Sequence, residues 1–447
     1  VRDMENQVKP HKWQIPFFAI WTGQAFSLVG SKIVQFALVW WLTKLTGSAT
    51  VLAMATMVAL VPEVILGPLA GAYVDRWNRR LVMMAADGLV ALASLFLAYL
   101  FWIEAVQVWH VYAIMFIRAV GSSFHWPAMQ ASTSLMVPKQ HLTRVAGMNQ
   151  TMNGALNIVG PPLGALFMEI MPLYGVMMVD VGTALLAITP LFLVHIPQPQ
   201  RADVVPEAGG KPSVWTDVRA GLRYIGAWPG LVALIASVMV IKIALTPAFS
   251  LLPLLVSAHF GGDATQLSLL EAIAGAGIVL GGLALSVWGG FRRRIYTSLM
   301  GGAILGLGFI VLGLTPGSLF WVALGSIFVV GLMIPLIDGP IMAILQGTVE
   351  PDMQGRVFTI MGSLLLLTSP FSLAIAGPIS DWLGLQVWYL AAGVLCAALT
   401  LAGFFVPAIA NIEENHRGTT ALEQKPVPAP AESLLTTASA ELPATGD

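Results

Sequence analysis

Apolar residues along the chain gather in blocks of about 20, the length an α-helix needs to cross roughly 30 Å of hydrocarbon. Twelve such blocks predict helices over 14–42, 48–74, 80–103, 107–129, 145–170 and 174–195, then 229–258, 267–290, 295–315, 318–346, 357–379 and 386–408. The one long interior break, 197–228, opens with Pro197, Pro199, Pro206, Gly209, Gly210 and Pro212 and reads as a linker. From Trp215 to Ile225 the pattern turns helical, with Val218, Leu222 and Ile225 on one face and Arg219 and Arg223 on another, which predicts a helix at the membrane surface. The chain therefore divides into a tail (1–13), a six-helix bundle (14–196), the linker with its amphipathic helix (197–228), a second six-helix bundle (229–408) and a tail (409–447). The last is rich in Ala, Pro, Thr and Glu and is expected to be disordered.

The two bundles repeat one another. At an offset of 214, Gly67–Ala70 aligns with Gly281–Ala284 and Arg79–Arg80 with Arg293–Arg294; at 213, Pro127 aligns with Pro340; at 212, Arg144–Val145 aligns with Arg356–Val357. Several matches in the same order argue for duplication. Six spans are an even number, so both repeats point the same way and are related by an axis along the membrane normal, with a substrate site expected between them near mid-bilayer. The fold class is all-α, twelve transmembrane helices in two six-helix repeats.

Composition agrees and narrows the function. Hydrophobic residues make up 57% of the 447 residues and charged ones 10%, where soluble domains carry about 25% charged residues. A net charge of −1 leaves no basic field for nucleic acid. The single cysteine, Cys396, allows neither an intrachain disulfide nor a thiolate metal cluster, and no P-loop or zinc-protease motif is present. With the N-terminus cytoplasmic, 18 of the 22 Lys and Arg fall in cytoplasmic segments; Lys44 falls outside, and Lys32, Arg118 and Lys242 fall within spans. The positive-inside rule therefore places both termini in the cytoplasm.

The loop after the second span runs Gly71, Asp75, Arg76, Asn78, Arg79, Arg80, one helical turn after Gly67. It resembles the loop signature of the major facilitator superfamily, with Asn78 where a glycine is usual; Asn tolerates positive φ, so the tight turn is expected to survive. Gly67 and Gly71 are expected to allow close helix approach. The resemblance implies that Asp75 and the arginines latch the halves together on the cytoplasmic side; Asp87, close to the cytoplasmic end of the third span, is expected to join the network of Asp75 and Arg79. In the fifth span, Gly160, Pro161 and Gly164 are similar to the end of the signature of proton-coupled exporters, although Leu156 replaces an expected glycine. Ser122–Ala128 and Val137–Gly147 resemble the branch that contains macrolide-efflux proteins and the enterobactin exporter.

Ionisable residues within spans are costly and mark candidate function. Arg118, Ser122 and His125 share one face of the fourth span, and Arg118 matches the arginine of the family's signature there, with Gly121 in place of the usual glutamine. Asp338 lies 213 residues after His125, so the repeat places it toward the same central region. It is the preferred proton-carrying carboxylate. Glu63, one turn before Gly67, comes second and is expected to touch the neighbouring bundle. Asp180, Glu271, Lys32 and Lys242 are read as snorkelling or of unclear position.

The expected function is secondary export of a small amphipathic or hydrophobic, macrolide- or drug-like compound across a bacterial-type inner membrane. The resemblance implies alternating access driven by inward proton flow, with no cofactor or metal, a small-molecule substrate and the lipid bilayer as partners, and a monomeric carrier. A siderophore or a lysophospholipid is an alternative cargo on the same fold. A non-transporting scaffold or sensor is the alternative of another class, for which a long soluble module is expected and missing.

Overall fold

The computed structural model describes residues 13–74, 76–194, 196 and 214–413. The expected tails (1–13 up to Trp13, and 409–447 from 414), the linker segment 197–213 and Asp75 lie outside the described residues. The first half consists of α1 (Gln14–Thr46), α2 (Ala49–Val74), α3 (Arg79–Trp102), α4 (Val108–Met136), α5 (Leu142–Ile170) and α6 (Leu173–Leu193). After α7 (Val214–Ala227), the second half runs α8 (Pro229–Ser250), α9 (Leu252–Leu254), α10 (Ala264–Trp288), α11 (Arg294–Leu314), α12 (Phe320–Thr348), α13 (Pro351–Leu383), α14 (Leu385–Phe405) and α15 (Pro407–Ala410). No strand occurs among the described residues. Each of the twelve apolar blocks corresponds to one long helix. The seventh block continues past α8 through α9 into a π-helical turn, Leu255–His259.

Ten of these helices are apolar and long enough to cross a membrane. The other two, α4 and α5, carry Arg118, His125, Asn149, Asn153 and Asn157. Polar groups of this kind in a membrane span belong on surfaces turned to protein or to a water-filled cleft. Within the halves, α1 packs on α6, α3 on α4 and α6, and α2 on α4; α11 packs on α12 and α14, and α10 on α12. Between the halves, α10 meets α5 and α13 meets α2. The bundle has a basic face, where Arg76, Arg79, Arg80, Arg292, Arg293, Arg294 and Arg356 lie, and an opposite face at the α1–α2 turn.

Hydrophobic packing differs between these faces. Toward the opposite face the core is shared: Phe36, Trp40 and Ala165 of the first half pack among Leu252, Leu255, Phe309 and Tyr389 of the second. In return, Leu251 and Leu254 pack among Ile33, Leu38 and Leu97. Toward the basic face each half keeps its own core, Ile20, Met83, Met129 and Leu191 in one, Leu234, Ile344, Val357 and Ile360 in the other. Burial of apolar surface holds the opposite face closed and leaves the basic-face ends of the halves as separate bodies.

Hydrogen bonds across the halves reinforce the closed face. Asp381, at the end of α13, accepts from the Ala49 N–H (2.6 Å), the Thr50 N–H (3.0 Å) and the Ser48 hydroxyl (2.9 Å), so a carboxylate of one half caps the N-terminus of a helix of the other. The Thr56 and Ser250 hydroxyls are 2.5 Å apart, and the Lys44 ammonium donates to the Gly262 carbonyl at 3.5 Å.

The helix α7 packs against α8 and α13. Ile225 is buried with Val357 and Ile360, whereas Leu222, expected on the same apolar face, is half exposed. The Tyr224 hydroxyl accepts from the Glu350 N–H at 3.4 Å, and burial raises its phenol above the ordinary range. Cys396 is buried in α14, its thiol 3.4 Å from the Gly302 carbonyl.

Candidate functional site

The polar centre of the first half is built around Asp180. This α6 residue is fully buried, so it does not snorkel as the sequence reading has it. It forms an ion pair with Arg118 of α4 and accepts hydrogen bonds from Ser94 of α3 (2.6 Å) and Ser31 of α1 (3.2 Å); Arg118 also donates to the Ser94 hydroxyl at 2.6 Å. A buried carboxylate requires such compensation, because desolvation of an unpaired charge costs several kcal/mol. The positive charge of Arg118 is thus largely neutralised inside its own half.

Arg118 keeps an edge on a cavity of about 160 Å³, lined also by Glu63, Gln35 and Ser122. Glu63 thus shares this cavity with α4 of its own half and is exposed. His125, one face-mate of Arg118, turns instead toward α3: its Nε2 lies 3.4 Å from Asp87 Oδ1, and the Gln24 amide donates to Asp87 Oδ2 at 2.9 Å. Asp87 is buried in this contact among α1, α3 and α4.

Asp338 stands apart from these groups. It is exposed on α12, and the charge it feels is that of Lys242 on α8, which is exposed too. Two charged side chains of different helices that sense one another face the cleft, since exposure to lipid would leave them unsolvated. The structure does not bring Asp338 to Arg118 or His125. The repeat equates α4 with α12, but the six-helix unit encloses the side chains of each copy differently.

A cavity of about 320 Å³ lies on the seam between the halves. Lys32 of α1 and Glu271 of α10 both line it, with Asn157 and Pro161 of α5, Phe36 of α1 and Phe249 of α8, and Lys32 supplies the charge that acts on Glu271. The sequence alone assigns these two no clear role. The signal was their mid-helix ionisable character; what was missing was the pairing, which joins residues 239 apart.

The α5 motif shapes this seam. A Cβ on Gly164 would lie 2.8 Å from the Phe36 ring, and one on Gly160 would lie 3.0 Å from Lys32 Cβ, so the glycines admit α1. Gly275 does the same for α10 against α5, with Ile158 Cγ1 at 3.0 Å from its Cβ position. Pro161 lies inside α5 and lines the cavity.

The loop motif behaves otherwise. Asn78 has φ −68°, not the positive φ expected of a glycine substitute; its side chain caps α3 by accepting from the Arg80 and Leu81 N–H groups at 3.1 and 3.4 Å. Gly67 and Gly71 have open space where a Cβ would point, so they do not form the close helix contact expected of them. The reason is the separation of the halves at this face. Buried Arg79 donates to the Ala131 carbonyl (3.2 Å) and Arg80 to the Phe192 carbonyl (2.7 Å), both within the first half, and Arg76 is exposed.

The sequence matches the Major Facilitator Superfamily profile over residues 20–367. It is 32% identical over 393 residues to macrolide efflux protein A of Streptococcus pyogenes, covering 88% of this chain and 96% of that protein. To the multidrug efflux pump Tap of Mycolicibacterium fortuitum it is 28% identical over 398 residues, covering 86% and 94%. Among solved structures, a bacterial homologue of the iron transporter ferroportin in an inward-facing state superposes with a TM-score of 0.66 at 13% identity, covering 87% of this chain and 98% of that one. A bacterial homologue of the human lysosomal transporter Spinster, in an inward-facing and unoccupied conformation, gives 0.64 at 14%, covering 92% and 98%. At these identities the structures speak for the fold, and the profile and the sequence relatives speak for the family. Two six-helix halves closed at one face, matched over most of their length, mean that the chain belongs to the Major Facilitator Superfamily and is a membrane transporter, not an enzyme.

Proposed function

We propose that the protein is a proton-driven efflux carrier for small amphipathic or hydrophobic, drug-like compounds, working by alternating access in a bacterial-type inner membrane. The observation that carries this reading is the asymmetry of the halves: a shared apolar core and the Asp381 cap close the opposite face, while ionisable groups of both halves line the spaces between and within them. The names of the sequence relatives supply the cargo class. Aromatic and aliphatic walls around Phe36, Phe249 and Leu252 suit an apolar body. The carboxylates of Glu63 and Asp338, open to the cleft, are candidates to exchange protons with water. The sign of the charge distribution supports a cytoplasmic basic face with both termini inside.

Purified protein in liposomes with an imposed pH gradient, offered macrolides, siderophores and lysophospholipids in turn, tests the proposal. Gradient-dependent movement of a macrolide-like compound, with counterflow of protons, is the expected result. Transport that ignores the gradient sinks the proton antiport, and transport of a siderophore or lysolipid alone replaces the cargo class. Cysteine labelling near Lys211 and Asp263 checks orientation: a reagent outside intact cells should reach 263 and spare 211.

A further inference from the structure

We infer that Glu271 and Lys32 form an electrostatic lock between the halves, released when Glu271 takes up a proton. This rests on the proton-driven reading above and names the group through which the proton would act.

The geometry is specific. Glu271 is the only ionisable residue of α10, and the lock sits where α10 packs on α5 across the seam, at a cavity that α1, itself packed on α5, also lines. Gly275, one turn further along α10, presses against Ile158 and Asn157 of α5, and Gly160 of α5 presses against Lys32. A change in the attraction between Glu271 and Lys32 therefore acts on helices already in van der Waals contact, with no flexible segment between to absorb it. The charged surroundings are sparse. On α1 the titratable group facing the cavity is Lys32; α5 contributes the neutral Asn157, its ionisable residues Arg144 and Glu169 lying near its two ends; α8 and α9 contribute Phe249 and Leu252. The only ionisable residue of α12, which also packs on α10, is Asp338, and its charged neighbour is Lys242.

With Glu271 ionised, the carboxylate and the ammonium attract across a cavity walled by apolar groups, where such attraction is stronger than in water. The seam is held and the opposite face stays shut. When a proton from water adds to the carboxylate, Glu271 becomes neutral and Lys32 keeps its charge, now without a counter-charge in the cavity. An unpaired ammonium between apolar walls favours hydration, and hydration of the cavity means parting of α1 and α10. The empty, ionised carrier is thereby held in the state described here, which an exchanger requires so that it does not cycle without cargo. The Arg118–Asp180 pair has no such leverage, because both partners belong to one half.

Spin labels at Leu45 and Thr265, exposed sites near the outer ends of α1 and α10, read the seam directly in the full-length protein in liposomes. The wild type should show short distances in alkaline buffer and a growing long-distance population as the pH falls. Glu271→Gln should show the long-distance population at both pH values, and Lys32→Gln, which removes the other half of the lock, should also part the seam in alkaline buffer. Glu271→Asp, which keeps an ionisable group, should restore the pH response. The inference is overturned if the wild type shows no pH response, if Glu271→Gln tracks pH as the wild type does, or if Lys32→Gln stays closed. Because no substrate is added, failure of the cargo or antiport reading in the liposome assay leaves this outcome separately legible.

Discussion

The buried ion pair of the first half and the charged pairs facing the cleft use the same residue types for different ends. Arg118 and Asp180 are enclosed by α1, α3, α4 and α6, with two serine hydroxyls completing the carboxylate's hydrogen bonds. Asp338 and Lys242 are exposed, and Glu271 and Lys32 are half-buried around a cavity. The difference teaches where a carrier can store its switch. A charge neutralised within one rigid half contributes to that half's stability and cannot report on the other half; a charge whose partner lies across the seam, or whose partner is free to hydrate, changes its energy when the halves move.

The most severe way to test this contrast is to break the enclosed pair. Asp180→Ala leaves half-buried Arg118 without its carboxylate and is expected to destabilise the protein by about 3 kcal/mol, read as a lowered melting temperature in detergent and reduced membrane abundance. Replacing both partners together, Arg118→Met with Asp180→Leu, should recover much of that loss. A double variant as unstable as the single one would show that the pair does more than neutralise itself.

Removing the Asp381 cap comes next. Asp381→Ala frees the N-terminus of α2 from α13 and should weaken the closed face by about 0.5–2 kcal/mol, the usual worth of a helix N-cap. The expected reading is a larger fraction of parted α2 and α13 ends by spin-label distance, with the melting temperature of each half little changed. A closed-face population equal to wild type would leave the apolar seam as the sole closure.

The smallest effect on stability is expected in the cleft. Asp338→Asn should alter stability by no more than about 0.5 kcal/mol, as for an exposed site without a buried partner, yet lower gradient-driven export. Its effect on export should be smaller than that of Glu271→Gln, since Asp338 and Lys242 belong to one half. Equal loss in both variants would put Asp338 back in the position that the sequence repeat assigns to it.

Much of the architecture was legible in the chain itself. Twelve apolar blocks give twelve long helices, most with ends close to those expected, although α4 runs on to Met136 and α13 begins already at Pro351, because in hydrocarbon a backbone must satisfy its own hydrogen bonds and the helix is the local way to do so. The duplication, the family and the even-handed orientation of the halves also follow from local patterns. The loop motif shows the limit: Asn78 was expected to turn the chain and instead caps α3, because a cap depends on φ and ψ at one residue, which substitution for glycine does not reveal.

What the sequence determined by itself is therefore everything that solvation and neighbours within a few turns decide: the number of spans, their lengths, and which residues are charged within them. Which charge meets which was decided only by the tertiary structure. Asp180 meets Arg118, His125 meets Asp87 and Lys32 faces Glu271 through helices brought together from distant parts of the chain. A charge buried in a membrane span must find a partner, but the identity of that partner depends on helix rotation and packing, which the burial of small and large side chains across helix contacts sets and no single span encodes.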